Sequence, residues 1–121
     1  MPRRIEPEPN AAKIGARLRE LRLERNLSLA DLADLSQLSK GHLSSVEHGL
    51  AAITVQTIAR LATGLNVPAM YILVSPTDSD LDQVAELLRK LPQPELVKLR
   101  RELTKSAKEA AKVAAKASRV R

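Results

Sequence analysis

Between Ser39 and His48 the chain sets Lys40, Gly41, His42, Ser44, Ser45 and His48 around two apolar residues, Leu43 and Val46, which turn inward at i, i+3 spacing. The outward residues are short and polar, suited to hydrogen bonding rather than covalent chemistry. His42 and His48 stand six residues apart, which does not place two ligands on one helix face, and the chain has no cysteine, so no metal site is expected. No carboxylate pair, phosphate-cradling glycine loop or Ser/His/Asp grouping is present. The residues therefore predict no catalytic group and no cofactor, and they favour a binding module over an enzyme.

The partner class is suggested by charge. The formal charge is +6, and its distribution is uneven: residues 1–75 carry nine Lys/Arg against seven Asp/Glu, whereas residues 101–121 carry seven against two. A positive field of this kind suits an anionic partner, with nucleic acid favoured and an anionic membrane or a merely solvated helix face as the alternatives. No signal-peptide core or long apolar run is visible, so a soluble, intracellular protein is expected. Phe and Trp are absent and Tyr71 is the single aromatic residue, so the core must be built from Leu, Ala, Val and Ile, a composition suited to packed helices.

The elements that position the polar segment can be read from caps and periodicity. Asn10 suits the N-cap of a helix carrying Ile14, Leu18 and Leu21, with Asn26 as its left-handed terminator. Ser28 and Asp31 form a capping-box pattern before Leu29, Leu32 and Ala33, and this helix must stop near Ser36 because Ser39 offers the next cap. The third helix, Ser39 to His48, ends at Gly49. Thr54 caps a fourth with Ile58, Leu61 and Ala62, closed by Gly64, and Pro68 fits the first turn of a short fifth. Five short helices imply an all-α domain over residues 11–74, preceded by a basic arm, 1–10, and followed by a linker, 75–80. Over 81–121 the apolar positions Leu81, Val84, Leu88, Leu91, Leu96, Leu99 and Leu103 mark a helical dimerisation segment with a basic tail. The seam continues in heptad spacing through Ser106, Ala110, Val113, Ala117 and Val120. Its side chains shrink beyond Leu103, so association through 81–103 and fraying beyond are expected.

The segment Leu27 to Gly49, with Ile14 to Leu23 before it and Thr54 to Leu73 after it, resembles the Cro/C1-type (XRE) helix-turn-helix family. Ala33 stands where two helices cross closely, Leu32, Leu43 and Val46 face the core, and Ser39 starts the second motif helix. The resemblance implies a five-helix, lambda repressor-like DNA-binding domain followed by a C-terminal helical oligomerisation segment. It implies a sequence-specific regulator of transcription, a repressor acting as a homodimer on a palindromic operator in double-stranded DNA. By position in the family pattern, Lys40, Gly41, Ser44 and Ser45 fall where bases are read, with plain solvent exposure as the alternative for Ser44 and Ser45. Phosphate contacts would come from Arg3, Arg4, Arg17, Ser28, His42, His48, Thr54 and Arg60. Glu47 occupies an acidic structural position of the family, and Arg22 the position of its ion-pair partner.

Two departures stand out: Leu29 replaces a phosphate-holding Gln, and Gln37 replaces the glycine common in the turn. The loop from Leu50 to Ile53 also lacks a basic residue. The two C-terminal helices resemble the layout of SinR-type regulators. An antitoxin or adaptor that binds a toxin or antagonist protein through its C-terminal helices, with autoregulatory DNA binding, is the alternative function.

Overall fold

The first four helices of this chain start where a side chain accepts otherwise unpaired N–H groups of the first turn. The computed structural model describes residues 6–74, 76–77 and 79–119. These contain seven helices and, among the described residues, no strand: α1 (Pro9–Glu24), α2 (Leu29–Leu35), α3 (Lys40–Glu47), α4 (Val55–Leu65), α5 (Met70–Leu73), α6 (Asp80–Leu88) and α7 (Gln93–Arg119). The cap of α1 is Glu8 rather than Asn10. Pro9 at the first helical position has no N–H, so the first donors to be met belong to Asn10 and Ala11, and the Glu8 carboxylate accepts both at 3.1 and 2.8 Å.

Ser28 and Asp31 form a reciprocal capping box at α2, with both bonds at 2.9 Å, while Ser39 caps α3 and Thr54 caps α4. The first four helices each end through a left-handed residue: Asn26, Gln37, Gly49 and Asn66. In each case the next N–H bonds back to a carbonyl of the final turn, as Leu38 N–H does to Ala33 at 2.9 Å. Gln37 therefore adopts a conformation that usually falls to glycine, at a cost of about 1 kcal/mol. The end of α4 differs from expectation: Asn66 terminates it, and Gly64 lies inside the helix. An added Cβ there would come within 2.4 Å of Ser36 Oγ, so the residue permits a close α2–α4 crossing rather than a stop.

Leu18, Leu21, Leu32, Leu43, Val46, Leu61, Leu65 and Ile72 are fully buried, joined by Ala33 where α2 meets its neighbours. The core packs α1 against α3 and α5, and α2 against α3 and α4. At Gly15 an added Cβ would lie 2.4 Å from the carbonyl oxygens of Val46 and Glu47, so α1 runs directly over the last turn of α3, backbone against backbone. That crossing sets the direction in which α3 leaves the core.

The chain divides into two units, one through Gln83 and the other from Val84. In the second, Arg89 pairs with Glu86 in α6, and Leu96 N–H bonds to Pro92 O at 3.1 Å as α7 begins. No residue of α6 or α7 is buried. Leu88, Leu96 and Leu99 are half-buried beside Leu103 and Ala107, which line the same apolar cleft. Contrary to the expected fraying, α7 stays helical to Arg119; its distal half is rich in alanine and lysine, strong helix formers that need no packed face to favour the helix. Val120 of the proposed seam lies outside the described residues. No helix among the described residues is long and apolar enough to cross a membrane.

Candidate nucleic-acid interface

α3 shows its N-terminal half to solvent and its C-terminal half to the core. Lys40, Gly41 and His42 are exposed, Ser44 is half-buried, and Leu43 and Val46 are buried. Gly41 has nothing within 4 Å of a hypothetical Cβ, so a flat ligand can reach the backbone at this turn. Ser39 Oγ takes only the His42 N–H, at 3.0 Å, which leaves the first N–H groups of α3 aimed outward without a side-chain cap. Ser45 differs from the base-reading role expected of it: it is 9% exposed and lies on the same inward side as Val46.

The C-terminal end of α3 is fixed by a long-range ion pair. Arg22 Nε and Nη2 donate to the two Glu47 carboxylate oxygens at 2.8 and 3.0 Å, a parallel two-point contact, while Nη1 donates to Leu27 O at 3.0 Å. The two side chains are 11% and 4% exposed. Glu47 holds the Arg22 pKa above its ordinary value, chiefly through the side-chain hydrogen bond, against the opposing effect of burial. One guanidinium thus joins α1, the α1–α2 connection and α3, and the paired carboxylate is screened from any approaching anion.

The residues expected to hold phosphate fall into distinct places. Arg17 is removed from the surface: it is 3% exposed, its Nε donates to Tyr71 O at 2.7 Å, and Nη1 pairs with Glu20 at 3.3 Å. Its role is to fasten α1 to α5. The sequence held the signal, because Ile14, Arg17, Leu18 and Leu21 share i, i+3, i+4, i+7 spacing and so one face. Ser28 is also occupied, since its hydroxyl and N–H are both engaged with Asp31; those bonds hold the exposed Asp31 carboxyl below its ordinary pKa. Thr54 Oγ1 accepts from Thr57 N–H at 3.1 Å, and His48 Nδ1 lies 2.7 Å from Ser44 O.

His42 and Arg60 remain exposed, Arg60 beside Gln37, Gln56 and Thr63 on the α2–α4 side. Arg3 and Arg4 lie outside the described residues. No group of three or more potential metal ligands occurs among the described residues. Sequence reasoning missed Gly15 and Glu8 and took Gly64 for a helix stop, because their roles depend on which groups pass beside them.

A compact unit of five helices, with one capped helix presented by its N-terminal turn and anchored at its far end, defines the helix-turn-helix class. The HTH_3 helix-turn-helix family model matches residues 18–72. The HTH-type transcriptional regulator SutR of Escherichia coli (strain K12) is 40% identical over 62 residues, covering 51% of this chain and 34% of SutR. The regulator DdrOP3 of Deinococcus deserti is 43% identical over 61 residues, covering 50% of this chain and 47% of its own. The restriction-modification controller protein C.AhdI of Aeromonas hydrophila superposes with a TM-score of 0.53 at 35% identity, covering 54% of this chain and 98% of C.AhdI. The chain belongs to the Cro/C1-type helix-turn-helix family. It spans between a third and a half of the length of these two curated regulators.

Proposed function

We propose that the chain is a non-enzymatic, sequence-specific regulator of transcription that binds double-stranded DNA and acts as a homodimeric repressor on a palindromic operator. The observation that carries this reading is the presentation of α3: an exposed N-terminal turn with open space over Gly41, on a helix whose other end is held by Arg22 and Gly15. A helix so held can enter a major groove without losing its orientation. On this reading Lys40 donates to guanine O6 and N7, Ser44 acts beside it, and Gly41 allows close backbone approach. His42 and Arg60, with the N–H groups at the starts of α2 and α4, supply phosphate contacts, and the arm 1–10 adds Arg3 and Arg4.

A readout this sparse specifies few base pairs, so a second copy is needed. The apolar positions of α6 and α7 support one. Leu81 is 79% exposed and Leu103 51%, and no residue of α6 or α7 is fully buried, so a partner would add burial to this apolar seam. On this reading residues 11–74 bind DNA, 75–80 link, and 81–121 pair two chains so that their α3 helices reach half-sites about 34–36 Å apart. The protein acts in the bacterial cytoplasm, at the nucleoid, with no cofactor and no membrane.

Selection of bound sequences from a random DNA library by the full chain tests this directly. A palindromic site is expected, bound by a sedimenting dimer, and Lys40→Ala should weaken the selected site by about 1–3 kcal/mol while leaving random duplex nearly unaffected. Recovery of no preferred sequence, with a monomer in sedimentation, would exclude the proposal and favour capture of another protein by the C-terminal helices.

A further inference from the structure

The positive charge of this protein is not where its helix-turn-helix lies. Across residues 6–74 seven Lys and Arg side chains are balanced by seven Asp and Glu, and three of the cations, Arg17, Arg22 and Arg25, donate to groups within the fold. α7 by contrast carries eight cations against three anions, and from Arg100 to its end every residue is exposed.

Their arrangement on α7 is not diffuse. At about 100° per residue, Lys98, Arg101, Lys105, Lys108, Lys112, Lys116 and Arg119 fall within an arc of about 80°, forming a stripe about 30 Å long. The centre of that arc is nearly opposite the face bearing Leu96, Leu103, Ala107, Ala110 and Ala114. Lys98 and Lys112 lie 3.8 and 3.6 Å from Glu95 and Glu109, but these pairs are well exposed and weak. The other five have no carboxylate at ion-pair distance among the described residues.

Each cation in the stripe has another cation three or four residues away. Like charges at those spacings destabilise a helix, and solubility alone does not require them to share one face. The repulsion is relieved when a polyanion lies along the stripe.

We propose that the outer face of α7, from Lys98 to Arg119, is a second and sequence-independent DNA site that grips the phosphate backbone of the duplex, apart from any base reading by α3. The inference rests on the reading that duplex DNA is the partner. Spacing supports it: about one cation per 5 Å of helix lies along a ligand that carries one phosphate per about 1.7 Å of its axis. An anionic membrane fits less well, because the opposite face of the distal half offers alanine methyls where an interfacial helix needs Leu, Phe or Trp. Dimerisation through Leu96, Leu99 and Leu103 leaves the stripe outward on both copies. The site supplies the phosphate neutralisation that a charge-balanced helix-turn-helix unit lacks.

The test compares the full chain with the variant carrying Lys105→Gln, Lys108→Gln, Lys112→Gln and Lys116→Gln, which removes four charges while keeping residues of similar helix propensity. Circular dichroism verifies that helicity is retained, and a four-Arg variant at the same positions keeps the charge. Binding to a random-sequence duplex is followed by fluorescence anisotropy from about 50 to 200 mM salt. The slope of log K against log salt should fall in magnitude by about 3–4 in the Gln variant and stay unchanged in the Arg variant. A slope indifferent to the four lysines overturns this proposal alone. So does lost binding to phosphatidylglycerol vesicles with an unchanged DNA slope, which would make the stripe a membrane face. Failure of the wild-type chain to bind any duplex overturns the proposed function as well.

Discussion

Removing Arg22 should damage this protein more than removing Glu47. In Arg22→Ala the Glu47 carboxylate keeps its position beneath α1, 4% exposed, with no other hydrogen-bond or ion-pair partner among the described residues. An uncompensated buried charge of this kind costs about 3–5 kcal/mol, a large part of the stability of an ordinary domain. At about 4–8 °C per kcal/mol for a unit of this size, the melting temperature should fall by at least about 12 °C. In Glu47→Ala the cation that remains is longer, slightly more exposed, and still bonded to Leu27 O, so its head can turn toward water and a smaller loss is expected.

The double variant should lose less than the sum of the two, because neither charge is left stranded. Tyr71 is the only aromatic residue, so its intrinsic fluorescence follows unfolding of the first unit without interference from α7. Equal and additive losses would refute the claim that the two groups act as a buried pair.

Two further expectations concern the packing and capping of the helices that flank α3. Ser36 Oγ is buried without a hydrogen-bond partner and would lie 2.4 Å from a Cβ at position 64, so Gly64→Ala should destabilise the wild-type background by about 1–3 kcal/mol. In a Ser36→Ala background, itself neutral or slightly stabilising, the same change should be largely tolerated, and a cost that persists there, measured by urea denaturation, would locate the clash elsewhere. Asp31 has its pKa depressed below 3.8 by the Ser28 bonds, so its stabilising effect is fully present above the unfolded value and lost as pH falls through the folded one. The gap in melting temperature between the wild type and Asp31→Ala should therefore shift as pH drops from 3.8 downward and then level off, and a gap constant across that range would count against the capping box.

Local rules were legible in the chain wherever a helix answers to its own residues. The all-helical class, the capping box at Ser28 and Asp31, the caps Ser39 and Thr54, and the inward set Leu18, Leu21, Leu32, Leu43, Val46 and Leu61 all follow from spacing and from donors that must be met within one turn. The order of the two motif helices was equally plain, because Ser39 and Gly49 bracket a segment too short for anything but α3.

What tertiary structure decided were the roles of residues whose neighbours come from far along the chain. Arg17 looks like a surface cation until Tyr71, fifty-four positions away, offers its carbonyl. Gly64 looks like a stop until Ser36 is found beside it. Gln37 departs from the usual glycine, yet the turn between α2 and α3 holds it left-handed, and Ser45 turns to the inward side of α3 because α1 and α2 fix how that helix is rotated. Periodicity names the face a residue occupies, but whether that face meets solvent, a carbonyl or another backbone depends on where the packed helices cross.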